Sequence, residues 1–176
     1  MKNNFEIEGK ILEVNKKEIE SKLKEIGATK LFSNKKIIQE NYENKELKRN
    51  KSNLRIRQFG NEILITFKEF KEQKNNLKNC KEMEFKVDTD FKNIQKLFLA
   101  IGLKKFQEIE KIRTSYRLRD ITFDIDEVIK PFKIPAYLEI EADDYKKIEK
   151  ALTLLKIPKS KIKPWGTGKL LSYYKK

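Results

Sequence analysis

The sequence predicts an α+β domain over residues 1–176, in which an eight-stranded antiparallel β-barrel carries helices packed on its outside. Three observations lead there. Strand-like segments alternate charged and apolar residues, so each presents one charged and one apolar face. Three helical segments carry apolar stripes that need a sheet face to cover. Three strand-like segments also place two glutamates one residue apart: Glu6 and Glu8, Glu82 and Glu84, Glu139 and Glu141. Residues i and i+2 of a strand share a face, so each pair aims both carboxylates into one space, where they repel unless a cation lies between them.

The first strand spans residues 4–12, with Phe5, Ile7, Gly9 and Ile11 on one face and Glu6, Glu8 and Lys10 on the other. Asn15 then offers an N-cap, Ile19, Leu23 and Ile26 form a helical stripe, and Gly27 stops it. The same unit returns at Glu82 to Val87, followed by Asp90 as cap, Ile94, Leu97, Phe98 and Ile101 as stripe, and Gly102 as stop. A third copy starts at Tyr137 to Glu141 and continues into a helix with Ile148, Leu152 and Leu155. An internal strand–helix repeat follows. Between the units lie further strands at residues 36–43, 54–59, 62–70, 108–118 and 121–128, with tight turns at Gly60-Asn61 and Arg119-Asp120. Residues 71–79 are polar apart from Leu77 and read as a mobile loop that could cover one mouth of a barrel.

The charged faces carry the chemistry. Arg55 and Arg57 alternate with Leu54 and Ile56, Thr66 and Lys68 with Ile65 and Phe67, Lys111 and Arg113 with Ile112, and Asp124 and Asp126 with Phe123 and Ile125. An open sheet with one wet side would alternate in the same way. The helices decide against it: they need the apolar face of Phe5, Ile7, Phe85, Leu138 and Ile140, and closing the sheet beneath them turns the charged face inward. Every Arg lies between Arg49 and Arg119, and Arg is the side chain suited to bidentate phosphate recognition. A bore of Arg, Lys and carboxylates fits a short polyphosphate with its metal ions.

Composition narrows the chemistry. The 41 Lys and Arg against 27 Asp and Glu give a net charge of +14 and point to a polyanionic partner. There is no His, which removes the commonest general base and zinc ligand and every His-based triad. Any metal is therefore hard and oxygen-bound, Mg²⁺, Mn²⁺ or Ca²⁺. The single Cys80 cannot form an internal disulfide and reads as a small strand residue. The first ten residues hold no apolar core of signal length and the longest apolar run is Leu97 to Ile101, so the protein is expected to be cytoplasmic, with no membrane partner. Nucleic acid is disfavoured, because carboxylates flank the arginines and repel a phosphate backbone. Tyr42, Tyr116 and Tyr137 read as packing residues. Gly166 to Lys169 lacks the glycine that a Walker loop needs at position 163, which is Lys.

These residues resemble the CYTH superfamily, which joins class IV CyaB-type adenylyl cyclases, thiamine triphosphatases and inorganic tripolyphosphatases. Glu6-Ile-Glu8-Gly-Lys10 is similar to its N-terminal E-x-E-x-K signature. Leu54 to Arg57, Thr66 to Lys68, Lys111 to Arg113 with Tyr116 and Arg117, Phe123 to Asp126, and Ile134 to Glu141 follow in the family's order. The resemblance implies a triphosphate tunnel, an eight-stranded antiparallel barrel with Mg²⁺ or Mn²⁺ as cofactor. It implies Glu6, Glu8, Asp126, Glu139 and Glu141 as metal-facing, and Lys10, Arg55, Arg57, Lys68, Lys111 and Arg113 as triphosphate-binding. It also implies Glu6, Glu8 and Lys10 as the catalytic set. Asp124 and Asp126 share a face, and the Asp-Glu-Val sequence favours Asp126. By the same resemblance the late basic residue of the tunnel is expected at Lys169, within a C-terminal segment that lacks the Tyr-Gly of many members. Glu82 and Glu84 are either further ligands or structural partners of neighbouring bases.

The run from Ile134 to Glu141 looks most like class IV cyclases, which implies conversion of ATP to cyclic AMP and pyrophosphate. The runner-up is hydrolysis of inorganic tripolyphosphate or thiamine triphosphate. A third reading is a non-catalytic binder of polyphosphate or of RNA with a 5′-triphosphate. The partner is thus a nucleoside, thiamine or inorganic triphosphate, and oligomeric state stays open, a homodimer included.

Overall fold

The computed structural model describes residues 5–175. Eight strands close on themselves: β1 (Phe5–Ile11), β2 (Thr29–Glu43), β3 (Ser52–Phe59), β4 (Glu62–Lys74), β5 (Leu77–Val87), β6 (Lys104–Leu118), β7 (Ile121–Lys130) and β8 (Tyr137–Ala142). Their order is β5-β4-β3-β2-β6-β7-β8-β1, and β1 also pairs β5, which completes the barrel. Every pairing is antiparallel. Closure abolishes the free edges that an open sheet would expose. The two-residue strand β9 (Ile162–Lys163) joins β1 beyond the end of its β5 pairing. Helices α1 (Lys16–Glu25), α2 (Lys45–Arg49), α3 (Phe91–Ala100), α4 (Tyr145–Leu154) and α5 (Thr167–Tyr174) lie outside. The strand read over residues 4–12 begins on Asn4, which lies outside the described residues.

All three repeated units form strand then helix, and each helix opens on the carbonyl-bearing side chain that its sequence supplies. Asn15 accepts from the Glu18 amide at 3.2 Å, Asp90 from Asn93 at 2.8 Å and Asp144 from Lys146 at 2.6 Å. Each such cap satisfies a backbone donor that the first helical turn leaves free. Gly27 and Gly102 end α1 and α3 at φ +80° and +82°, a conformation that a Cβ penalises.

The units are not equivalent in packing. Ile19 and Leu23 of α1 and Ile148, Ala151 and Leu152 of α4 share one core with Ile7, Ile11, Phe123, Ile125, Leu138 and Ile140, because β1 and β8 are neighbours. Helix α3 builds a separate cluster in which Ile94 and Phe98 meet Tyr42, Ile56 and Leu103. Helix α5 packs Leu170 and Leu171 against Ile109, Val128, Ile134 and Tyr137. Tyr42, Tyr116 and Tyr137 are buried packing residues, and Cys80 is a buried residue of β5.

Four expectations are corrected. Because α3 settles over β2 and β3, Phe85 of β5 is left 58% exposed and Phe5 of β1 43%. Leu97 and Ile101 of the expected α3 stripe are likewise exposed. Residues 71–79 are not a loop but a hairpin, in which Asn75 and Asn76, at φ +53° and +58°, make a two-residue turn between β4 and β5. Asn tolerates this left-handed conformation, and a two-residue turn of that hand matches strand twist. Strands β2 and β6 begin well before residues 36 and 108, because bulges near Phe32 and between Asn41 and Tyr42 interrupt the alternation that marks a strand.

Candidate active site inside the barrel

The inward positions of the eight strands enclose a cavity of about 970 Å³ lined from one end of the barrel to the other. Strand register explains its composition. On β1 and β8, Glu8 stands opposite Glu141 and Lys10 opposite Glu139; on β8 and β7, Glu139 stands opposite Asp124 and Tyr137 opposite Asp126. Asp126 in turn faces Arg113 on β6. On the far wall Arg55 and Arg57 of β3 lie opposite Thr66 and Leu64 of β4, and Lys68 lies opposite Glu82 of β5. Period-two strands thus place acids along β1, β5, β7 and β8 and most of the bases along β3, β4 and β6.

The two sets contact each other directly. Lys68 Nζ donates to Glu8 Oε2 at 2.8 Å and Glu6 Oε2 at 3.2 Å, and also pairs with Glu82. Lys10 pairs with Glu139 and lies 3.8 Å from Glu8, and Lys78 lies 3.5 Å from Glu8. Arg57 pairs with Glu84, which also accepts from Thr66 Oγ1 at 2.8 Å, and Arg55 Nη2 lies 3.5 Å from Glu82. Arg113 grips Asp126 through Nε and Nη2, both at 2.6 Å, reaches Asp124 through Nη1, and donates to Glu139 at 3.1 Å. Lys111 Nζ donates to Asp126 at 2.7 Å.

Charges at this density in a buried bore move one another's titrations. Burial raises Glu6 first, and the neighbouring Glu141 adds to it against Lys68, so its carboxyl is pushed up to about 7. Burial also raises Glu82, Glu141 and Asp124. Burial opposes ionisation of Glu8 as well, but Lys68, Lys10 and Lys78 outweigh it and hold that carboxyl well below the usual range. Asp126 is likewise held down by Arg113 and Lys111 against its burial. Burial and Arg113 push Lys111 down to about 8 despite Asp126. Burial and Arg55 lower Arg57 despite Glu84. The bore therefore contains carboxylates short of cations and bases short of anions.

Carboxylate oxygens of Glu6, Glu8 and Glu82 lie within 4.8 Å of one another. Further along the acidic wall, Asp124 Oδ1 is buried without a hydrogen-bond partner. Buried oxygens of this kind, with no imidazole among them, fit a hard divalent cation such as Mg²⁺ or Mn²⁺. On the basic wall, Nε of Arg55 and Nε of Arg57 are both buried without partners, donors left for an anion.

The bore brings Glu6, Glu8, Lys10, Arg55, Arg57, Lys68, Lys111, Arg113, Glu139 and Glu141 to one cavity. Two residues are placed differently. Asp126 is fully buried behind the wall, locked to Lys111 and Arg113, and it is Asp124 that reaches the cavity surface. Lys169 is exposed with its Nζ 5.3 Å from the Trp165 ring centroid, because α5 turns Gly166, Thr167 and Gly168 toward the bore instead. Glu82 of the middle pair joins the acidic cluster beside Glu6 and Glu8. Lys78 and Arg117 also line the bore. Arg117 was legible as the continuation of the Lys111, Arg113 alternation; Lys78 was hidden by the polar hairpin.

A closed antiparallel barrel with helices outside and opposed acids and bases within is a charged tunnel protein. A family model for the CYTH domain matches residues 4–163, and the chain belongs to that family. Among solved structures, the PH1012 protein of Pyrococcus horikoshii is 27% identical with a TM-score of 0.75, over 92% of this chain and 96% of that one. A candidate adenylate cyclase from Vibrio parahaemolyticus is 15% identical with a TM-score of 0.74, over 97% of this chain and 99% of that one. HpAC1 of Hippeastrum, a candidate adenylyl cyclase described as revealing a dominant triphosphatase activity, is 15% identical with a TM-score of 0.65, over 92% of this chain and 91% of that one. No curated protein matches the chain.

Proposed function

We propose that this protein is a metal-dependent enzyme that processes a triphosphate inside its barrel, converting ATP to cyclic AMP and pyrophosphate in the manner of a class IV adenylyl cyclase. One observation carries the reading: Arg55 and Arg57, each with a buried Nε that has no partner, line one wall of the bore beside the wall that holds the clustered carboxylates of Glu6, Glu8 and Glu82. Phosphate oxygens suit the first wall and a divalent cation the second.

Glu6, Glu8, Glu82, Glu139, Glu141 and Asp124 are the residues that would hold Mg²⁺ or Mn²⁺, which supplies charge neutralisation at the phosphates. Asp126 positions Lys111 and Arg113 rather than facing the cation. Arg55, Arg57, Lys68, Lys111 and Arg113 exchange carboxylate partners for phosphate oxygens and hold the chain of phosphates extended. Lys10, fixed between Glu8 and Glu139, completes the catalytic set with Glu6 and Glu8. In cyclisation the ribose 3′-oxygen bonds to the α-phosphorus, the bond from that phosphorus to the bridging oxygen breaks, pyrophosphate leaves, and a carboxylate of the acidic wall takes the hydroxyl proton. Positioning and charge neutralisation dominate such phosphoryl chemistry.

Hydrolysis of the terminal phosphoanhydride is the second reading, and the triphosphatase activity named for the Hippeastrum relative favours it. Incubation with ATP, tripolyphosphate and thiamine triphosphate, each with Mg²⁺ and Mn²⁺, separates them. Cyclic AMP with pyrophosphate identifies the cyclase and free phosphate the hydrolase. Binding without turnover of any substrate rejects the enzymatic reading in favour of a polyphosphate binder.

A further inference from the structure

The two ends of the bore differ in chemistry. At the end where β3 finishes and β4 begins, Phe32 of β2 and Phe59 of β3 meet edge to face with ring centroids 4.8 Å apart. Ile37, which stands opposite Phe59, and Leu64 extend the apolar wall. That wall runs straight into the phosphate-facing residues, because Leu64 stands opposite Arg57. Lys35 Nζ lies 4.7 Å from the Phe59 centroid and 5.1 Å from that of Phe32, adding a cation at the same place. The other end is built from the amides of Asn41, Asn53 and Gln107 and from Gly166 to Gly168 at the start of α5, with Phe106 as the aromatic lining it.

Three phosphate groups alone have nothing to set against an aromatic pair, and both rings, although Lys35 lies over them, are only half-buried and leave apolar surface open within a charged channel. Flat heteroaromatic rings stack on such faces, whichever ring they are. We propose that Phe32 and Phe59 form a head-group subsite, and that the substrate is an organic triphosphate whose planar ring lies at this end while its phosphates run inward past Arg57. Inorganic tripolyphosphate is then not the preferred substrate. The proposal rests on the reading of the bore as a triphosphate site and adds the direction in which the substrate lies.

The test compares ATP, thiamine triphosphate and tripolyphosphate as substrates for the wild type, Phe59→Ala and Phe32→Ala, with Phe59→Leu retaining apolar volume without the ring. The two organic arms distinguish a nucleobase from a thiamine ring. The expected result is a rise of about tenfold or more in KM for the organic substrate in each variant, with tripolyphosphate kinetics changed less than about twofold. Melting curves show which variants are folded, and Phe59→Leu carries the comparison if an alanine variant is not. Equal losses on organic and inorganic substrates overturn the subsite, as does an organic KM that stays at the wild-type value. If the wild type turns over none of the three, the enzymatic reading fails but the subsite is still read by calorimetric titration. There, tighter wild-type binding of ATP or thiamine triphosphate than of tripolyphosphate, lost in Phe59→Leu, sustains it, and equal affinities or no binding overturn it.

Discussion

Arg57 sits among charges of its own sign. Burial and Arg55 weaken its hold on the proton, Glu84 restores part of it, and its Nε has no partner at all. A polyphosphate relieves all three stresses at once, whereas a monophosphate reaches only part of the basic wall. Arg57→Ala is therefore expected to weaken tripolyphosphate or ATP binding by about 10- to 100-fold and inorganic phosphate binding by far less. Calorimetric titration of both ligands checks this, and equal losses would remove Arg57 from the clamp. Glu6 makes a pH prediction. Its folded carboxyl titrates near 7 against an unfolded value near 4.5, so the folded state binds more protons between those values. Stability is then lost as pH rises from about 4.5 to 7. Glu6→Gln cannot titrate, so in chelator its melting temperature should gain on the wild type across that window. A constant difference from pH 4.5 to 7 would show that Glu6 is not the group responsible.

At the scale of elements, β1 is the most constrained strand. It pairs β8 on one side and both β5 and β9 on the other, and a Cβ built on Gly9 would come within 2.6 Å of side-chain atoms of Ile162 and Leu77. The glycine inside Glu6-Ile-Glu8-Gly-Lys10 is thus a packing requirement of barrel closure, while its neighbours face the bore. Gly9→Val is expected to cost about 1 to 3 kcal/mol of stability, measurable by urea denaturation; a midpoint unchanged from wild type would mean that β9 yields. Element boundaries were legible where alternation was regular and caps were conventional, as at Asn15, Asp90, Gly60-Asn61 and Arg119-Asp120. They were hidden where bulges broke the alternation in β2 and where the β4–β5 hairpin carried polar residues on both faces. The glutamate pairs were legible as motifs, but whether Glu82 belonged with Glu6 and Glu8 depended on β1 and β5 meeting at the seam of the barrel.

For the whole molecule, the charge that first pointed to a polyanion lies mostly elsewhere. Eight basic and ten acidic side chains line the cavity, so the net charge of +14 belongs to the rest of the chain. The bore selects its ligand by opposed walls, not by overall attraction, and a divalent cation on the acidic wall should stabilise the entire barrel. With Mg²⁺ or Mn²⁺ at about 100 times its dissociation constant, linkage gives about 2.7 kcal/mol, or a rise of roughly 5 to 10 °C in melting temperature for a chain of this size. The rise should vanish in Glu8→Gln. An equal shift in that variant would dissociate the acidic cluster from the metal. Among the described residues no helix is long and apolar enough to cross a membrane.

Local pattern was enough to determine which face of each strand is charged, where two of the helices begin, and that any metal is held by oxygen, because period-two geometry, capping and the absence of His are properties of the chain itself. Tertiary structure alone decided that Asp124 reaches the cavity while Asp126 anchors Lys111 and Arg113, that Lys169 turns outward, and that Phe32 and Phe59 meet at one end of the bore. Those outcomes depend on strand stagger and on how α5 docks, which bring together residues far apart in sequence and leave no trace in the alternation of any single segment.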